Sequence, residues 1–138
     1  MIKEIQKGGK CMADMTGRFG AFLASKRYEK DASLRLIAEK TGISVSYLSD
    51  IFKGRRYPPD IEKLEAIAEM LNLNEAERNE MFDLAGRERK QVSPDLLEYI
   101  MDETLPSLRA ALRKAKAQSL GENFWKEVNR IIDEKAEL

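Results

Sequence analysis

The chain has 138 residues, of which 43% are apolar and 35% are charged, a composition expected of one globular domain or of a small domain with an appendage. It contains one cysteine and no histidine, which excludes an intramolecular disulfide and a Ser-His-Asp catalytic arrangement and removes the commonest metal ligand. No apolar run approaches the roughly 20 residues of a membrane span, and the N-terminus lacks the apolar segment of a signal peptide. These features predict a cytoplasmic protein that is not an enzyme and that binds no membrane, metal or cofactor.

The 24 basic and 24 acidic side chains are distributed unevenly along the chain. Residues 1–57 hold twelve basic and six acidic side chains, whereas residues 58–138 hold twelve basic and eighteen acidic ones. The first segment therefore has a net charge of +6 and the second a net charge of −6. This asymmetry predicts that the N-terminal half faces a polyanion and that the C-terminal half does not.

Helical periodicity predicts an all-α fold after a loose N-terminal segment. Residues 1–15 contain paired glycines and several lysines, and we predict a flexible arm that is either disordered or in contact with a polyanion such as DNA. Apolar spacing, cap residues and glycines then divide the next part of the chain into five short helices. We predict them over about residues 17–28, 33–40, 44–52, 60–71 and 74–85, capped where caps occur by Asp31 or Ser33, Ser44, Asp60 and Asn74.

The charged segment 86–94 is predicted to be a boundary, since it ends in a cap residue, Ser93, followed by Pro94 at the first helical position. Beyond it we predict about three C-terminal helices, over residues 94–102, 106–118 and 122–136. The predicted organisation is a flexible arm over residues 1–15, a helical domain over residues 16–89 and a C-terminal helical extension over residues 90–138.

Two of the predicted helices, 33–40 and 44–52, are separated by only three residues, with Gly42 in the middle. A turn this short, with glycine at the position that tolerates a positive φ, is typical of a helix-turn-helix unit. In such a unit the second helix lies in the major groove of DNA. Leu48 and Ile51 are predicted to hold the second helix onto the first, which turns its other face outward.

That outward face is predicted to carry small or polar side chains: Val45, Ser46, Ser49 and Asp50, with Tyr47 at its edge. Small side chains let the helix approach base edges closely, a serine hydroxyl donates or accepts hydrogen bonds there, and valine can contact a thymine methyl group. Taken singly, each serine also fits a merely solvated position. Since the face lacks arginine, glutamine and asparagine, we expect weak direct readout and more reliance on phosphate contacts and DNA shape.

A basic cluster, consisting of Lys53, Arg55 and Arg56, follows the second helix. We predict that it contacts the sugar-phosphate backbone, and that Lys26 and Arg27 at the end of the first helix reach neighbouring phosphates. A solvated loop is the alternative interpretation of so short a cluster. The basic charge of the whole N-terminal half favours the DNA contact.

Residues 34–73 resemble the helix-turn-helix domain of the phage lambda repressor and Cro family, also called the xenobiotic response element family. The resemblance covers about residues 17–86 and rests on the ordered spacing of Ile37-Ala38, Gly42, Ile43-Ser44, Leu48-Ser49, Ile51, Gly54-Arg55, Pro58, Leu64, Ile67-Ala68 and Leu71. It implies a five-helix domain that binds double-stranded DNA. The base-reading positions it implies are Val45, Ser46, Ser49 and Asp50.

The resemblance also places Ser33, Ser44, Tyr47 and the basic cluster near the DNA backbone. One departure from the family is Phe52, where many members carry a glutamate. This substitution predicts extra packing, against Tyr57 or the C-terminal helices.

The apolar positions of residues 94–138 exceed what short helices can bury alone, so these helices either pack on the fifth helix or form a dimer. Members of the resembled family usually bind two-fold operators as dimers. We therefore predict a homodimer, with Phe124, Trp125, Ile131 and Ile132 at its interface or at a partner surface. The basic run over residues 113–116 is either a solvated helix face or a contact to flanking DNA.

These observations predict a sequence-specific DNA-binding transcriptional regulator, a repressor that reads the major groove with helix 44–52. Two alternatives stay open. The first is the antitoxin of a toxin-antitoxin pair, in which the C-terminal segment binds the toxin. The second is a helical protein-interaction adaptor that has kept the fold without binding DNA. No sequence feature identifies a small-molecule effector.

Overall fold

A computed structural model describes residues 18–137 of the protein, and over this range the chain contains eight helices and no strand. The prediction of an all-α fold is therefore confirmed. The helices are α1 (Arg18–Glu29), α2 (Leu34–Thr41), α3 (Val45–Phe52), α4 (Ile61–Met70), α5 (Glu75–Arg89), α6 (Leu97–Ile100), α7 (Pro106–Ala117) and α8 (Glu122–Ala136). The predicted N-terminal arm, residues 1–15, lies outside the described residues. No helix between residues 18 and 137 is long and apolar enough to cross a membrane.

The boundaries of α2 and α3 are set by local capping interactions. The Ser33 hydroxyl accepts a hydrogen bond from the Leu36 amide at 3.0 Å, and the Ser44 hydroxyl accepts one from the Tyr47 amide at 3.1 Å. Gly42 ends α2 with a left-handed φ of 77°, and its amide donates to the Ala38 carbonyl. The serine caps and the terminating glycine pair backbone groups that have no partner within the helices. Because these signals are local, the helix boundaries predicted from the sequence agree closely with the observed ones.

Helix α5 is one turn longer than predicted, because Gly86 lies inside the helix and not at its end. The helix ends at Lys90, which has a left-handed φ of 56°. The chain then turns back, and a Cβ on Gly86 would lie 2.9 Å from both the Gln91 carbonyl oxygen and the Ser93 amide nitrogen. Gly86 is therefore required for the close approach of the segment after α5.

The described chain forms two compact units, one ending at Leu97 and the other beginning at Glu98. In the first unit, α1 packs on α3 and α5, and α2 packs on α3 and α4. The fully buried side chains of its core come from all five helices and their connections: Phe19, Leu23, Ile37, Leu48, Ile51, Pro58, Leu64, Ile67, Leu71 and Met81. Helix α3 is thus held by two neighbours, which orient its remaining faces.

The N-terminus of α5 is joined to α1 by a cluster of polar contacts around Glu77. The Glu77 carboxylate accepts a hydrogen bond from the backbone amide of Asn74 at 2.9 Å and lies 3.0 Å from Lys26 Nζ. The hydrogen bond from the Asn74 amide and then the bond from Lys26 lower the pKa of Glu77. The ionised form of Glu77 is therefore the one that the folded protein favours.

Because its pKa is lowered on folding, Glu77 stabilises the fold above the ordinary value of 4.5, and this contribution disappears as the pH falls through the folded pKa. We expect Glu77→Gln to lower the urea midpoint of unfolding at pH 7, and the difference from the wild type to shrink between pH 5 and pH 3. Glu80→Gln, which removes an exposed carboxylate from the same helix, is the control and should change little. A difference that stays constant with pH would contradict this role.

The first helix predicted for the C-terminal extension is shorter than expected. The sequence indicated a helix over residues 94–102 capped by Ser93, but α6 covers only four residues. The Ser93 hydroxyl donates to the Asp83 carboxylate of α5 instead of capping a helix. At the other end, Arg109 of α7 donates to the carbonyl oxygens of Ile100 and Asp102 at 2.7 and 2.9 Å. It thus pairs carbonyl groups near the end of α6 that have no partner within a helix.

Candidate nucleic-acid interface

Helices α2 and α3 form a compact pair joined by a three-residue turn. Ile43 in the turn and both Leu48 and Ile51 in α3 are buried in the core, as predicted. The Thr41 hydroxyl donates to the Ile37 carbonyl at 2.7 Å, so the last turn of α2 is also held by a side chain. This packing fixes the rotation of α3 about its axis, which determines the side chains that it presents outward.

The side chains predicted to read bases lie on one side of α3. Val45 and Ser46 are exposed, and Ser49 and Asp50 are half-buried. Tyr47 is also half-buried and packs against the core. The four predicted base-reading side chains are all short, so the helix backbone can come close to a partner surface.

The basic cluster follows α3 through a tight turn that reverses the chain. Lys53 is the C-terminal cap of α3, and Gly54 has a φ of 78°. The Gly54 amide donates to Ile51, and the Arg55 amide donates to the carbonyl of Asp50 at 2.8 Å. This turn brings both arginines back beside the end of the helix.

Asp50 is the acidic partner of both arginines. Its Oδ1 lies 3.8 Å from Arg55 Nη1, and its Oδ2 lies 3.6 Å from Arg56 Nε. The Arg56 guanidinium also lies over the Tyr47 ring, 5.0 Å from its centre. The two arginine side chains are 68% and 57% exposed, so they stay accessible to a ligand while the contacts define their position.

Arg89, at the end of α5, supports the segment that follows the basic cluster. Its Nε and Nη2 both donate to the Pro58 carbonyl oxygen, at 3.1 and 2.6 Å. Its guanidinium also lies over the Tyr57 ring, 5.6 Å from the centre. The C-terminal turn of α5 thus braces the connection between α3 and α4, a contact that sequence reasoning did not find.

Lys26 and Arg27, predicted to reach phosphates, are both engaged within the protein. Lys26 Nζ lies 3.0 Å from Glu77 and 3.5 Å from Glu29, and its side chain is only 17% exposed. Arg27 Nη1 donates to the Ala32 carbonyl at 3.0 Å, and its guanidinium lies over the Phe52 ring at 5.9 Å. Both cations therefore make contacts within the first unit, unlike the exposed basic cluster.

Phe52 makes extra packing contacts, as predicted. It is half-buried against the core of the first unit, and the Arg27 guanidinium of α1 lies over its ring, 5.9 Å from the centre. Its backbone lies against α1 as well, since a Cβ on Gly20 would be 2.5 Å from the Phe52 carbonyl oxygen. Phe52 thus contributes to the contact between α1 and α3.

Ser33 and Ser44, predicted to lie near the DNA backbone, use their hydroxyl oxygens to cap α2 and α3. Each hydroxyl still has a proton to donate, because capping uses the oxygen as an acceptor. Both positions stand at helix N-termini, where backbone amides favour anions.

The predicted dimer surface is an apolar face on α8. Phe124, Ile131 and Ile132 are 39%, 44% and 56% exposed. Trp125 is half-buried and meets Phe124 edge to face, with ring centres 4.9 Å apart. Large apolar side chains clustered on one helix face are uncommon on the surface of a monomer.

No group of three or more potential metal ligands occurs in the described part of the chain. Comparison with known proteins identifies residues 18–81 as a match to the model of a family described as the helix-turn-helix domain. The protein is also similar to a cyanate hydratase of Aquifex aeolicus (strain VF5), with 27% identity over 124 residues that cover 88% of this chain and 83% of the relative. No solved structure matches the chain significantly.

Proposed function

We propose that the protein is a sequence-specific DNA-binding transcriptional repressor, because residues 18–81 match the model of the helix-turn-helix domain family. In this proposal α3 enters the major groove, and the protein represses by occluding a promoter. The observation that carries the proposal is that a face of small, exposed or half-buried side chains on α3 is followed directly by an exposed basic cluster. The net charge of +6 over residues 1–57 supports the same orientation toward DNA.

The contacts divide by role. Val45, Ser46, Ser49 and Asp50 face base edges, and Lys53, Arg55 and Arg56 contact phosphates beside the groove. Ser33, Ser44 and Tyr47 add further contacts to the backbone. Phosphate contacts position the protein and supply most of the affinity, whereas base contacts provide the sequence preference.

Selection of bound duplexes from a random pool tests the proposal. We expect a recurring half-site motif and an affinity that falls steeply as the salt concentration rises. Recovery of random sequence with no salt-dependent affinity would overturn the proposal and favour the protein-interaction adaptor.

The proposal includes a homodimer formed through the apolar face of α8. Ile131→Asp together with Ile132→Asp should convert the dimer to a monomer, because the two charges would be desolvated at the interface. Both residues are about half exposed in the single chain, so the fold should tolerate the change. Sedimentation velocity measures the result, and Asn123→Asp with Asn129→Asp places the same charges on α8 outside the apolar face.

If the double isoleucine variant sediments like the wild-type dimer, α8 is not the interface. A wild-type protein that is monomeric, but that co-purifies with a small toxin from its own host, would instead support the antitoxin alternative.

The similarity to a cyanate hydratase makes hydration of cyanate the second candidate function. The similarity extends beyond the helix-turn-helix domain, since it covers 88% of the chain. Our proposal assigns no catalytic step to this protein, so the purified chain should not consume cyanate. Consumption at a rate proportional to the protein concentration would establish the enzymatic function in its place.

A further inference from the structure

Asp50 is the only acidic residue between Val45 and Arg56, the segment that faces DNA in the proposed function. Its two carboxylate oxygens lie 3.8 Å from Arg55 and 3.6 Å from Arg56. Because DNA is a polyanion, a carboxylate at this surface opposes binding unless a specific group compensates for it. Asp50 therefore weakens binding to DNA of arbitrary sequence, unless the DNA offers a hydrogen-bond donor to its carboxylate.

The ion pairs of Asp50 can be exchanged at little cost. Both distances exceed that of a direct hydrogen bond, and both arginine side chains are more than half exposed. Exposed ion pairs of this kind contribute little to stability. The arginines can therefore turn to DNA phosphates, which leaves the carboxylate to be satisfied by something else in the groove.

The carboxylate also differs chemically from its neighbours on α3. It only accepts hydrogen bonds, whereas the hydroxyls of Ser46 and Ser49 both donate and accept, and Val45 does neither. Among base edges in the major groove, cytosine presents an N4 amino donor, and adenine presents an N6 amino donor together with the acceptor N7. Guanine presents the acceptors N7 and O6, and thymine presents the acceptor O4. Asp50 is thus the side chain of this face that is attracted by a donor on a base edge and repelled by an acceptor.

We infer that Asp50 is a specificity-determining residue that accepts a hydrogen bond from the N4 amino group of a cytosine in each half-site. In the free protein it holds Arg55 and Arg56 beside α3. On a cognate site the arginines contact phosphates, and the cytosine amino group takes their place. Opposite guanine, thymine or adenine the carboxylate meets at least one acceptor, which raises the cost of binding. This inference rests on the proposed function and names the base that the α3 surface recognises.

The test uses the full-length wild type and two variants, Asp50→Ala and Asp50→Asn. Each protein is taken through selection from random duplexes, and its affinity is then measured by fluorescence anisotropy on duplexes changed at single positions. Glu65→Gln, which removes an exposed carboxylate from α4, is the control with the same change of net charge.

We expect the wild type to lose about 10- to 100-fold in affinity when one cytosine of the half-site is replaced. Asp50→Ala should reduce this discrimination to less than about 3-fold and bind unrelated duplexes roughly 3- to 10-fold more tightly at low salt. Asp50→Asn should prefer adenine at the same position, because an amide both accepts from N6 and donates to N7. Glu65→Gln should keep the wild-type preference.

Unchanged discrimination at every position in both Asp50 variants would overturn the inference and leave the proposed function standing. An equal gain in affinity for unrelated duplexes in Glu65→Gln would also overturn it, since the effect would then come from net charge alone. If the wild type binds no duplex in a salt-dependent way, the proposed function and the inference both fail.

Discussion

Replacing both Arg55 and Arg56 with alanine is expected to weaken binding to every duplex on the order of 10-fold or more near physiological salt. The two side chains are exposed, and a tight turn holds them beside the end of α3. Each phosphate contact releases a counterion, so the loss should lower the slope of log affinity against log salt by about 1 to 2 units. Anisotropy titrations at several salt concentrations measure both quantities.

The control for this experiment removes two exposed cations elsewhere, by Arg87→Ala and Lys126→Ala. It changes the net charge by the same amount but should leave the salt slope near that of the wild type. Circular dichroism should show both variants folded, because neither pair of side chains lies in the core. A salt slope that is the same in the Arg55 and Arg56 variant as in the wild type would contradict the placement of the basic cluster on DNA.

Replacing Gly20 with alanine is expected to destabilise the protein by about 2 to 3 kcal/mol, since it overpacks a close helix contact. A Cβ at this position would lie 2.5 and 2.6 Å from the carbonyl oxygens of Phe52 and Ile51, and backbone atoms at the end of α3 cannot move aside individually. Helix propensity alone predicts the opposite sign, because alanine in a helix is about 1 kcal/mol better than glycine. A lower free energy of unfolding in the variant would therefore indicate close packing at Gly20, whereas a higher one would indicate that helix propensity dominates.

Urea unfolding measures this effect, with Gly121→Ala as the control. A Cβ on Gly121 meets no atom within 4 Å, so this substitution should change the free energy of unfolding by only about 0.5 kcal/mol. Since Gly20 contacts the end of α3, any Gly20→Ala protein that stays folded should also bind DNA more weakly. A stabilised Gly20→Ala variant would show that α1 and α3 are farther apart than in the structure.

The functional surface was predictable to the extent that it depends on helix register. Burial of Leu48 and Ile51 follows from their spacing, and it leaves Val45, Ser46, Ser49 and Asp50 on the other faces. The interactions among those side chains were not predictable in the same way. Asp50 was assigned to base reading alone, although the turn at Gly54 brings it within 4 Å of two arginines.

The cations of α1 show a different limit of sequence reasoning. Lys26 and Arg27 lie in a basic segment, and their charge alone suggested phosphate contacts. In the structure they bind Glu77 and the Ala32 carbonyl, partners that are 51 and 5 residues away in the chain. A charge pattern reports the composition of a segment but not the distant carboxylate that packs beside it.

Gly20 could have been noticed, because a glycine inside a helical pattern often marks a close packing contact. The pattern could not identify the partner, since Phe52 lies on another helix and is brought near only by the crossing of α1 and α3. The same holds for Arg89, whose hydrogen bonds to Pro58 span 31 residues.

The sequence by itself determined where the helices of the first unit begin, their N-terminal caps and the outward face of α3, because capping and periodicity are local and act within a few residues. Only the tertiary structure decided which charged side chains remain available to a partner. Arg55 and Arg56 stay exposed beside Asp50, whereas Lys26 and Arg27 are half-buried and held by contacts to other residues of the chain. The physical reason is that ion pairs and close helix crossings depend on the relative positions of distant segments, which are set by the packing of the whole core.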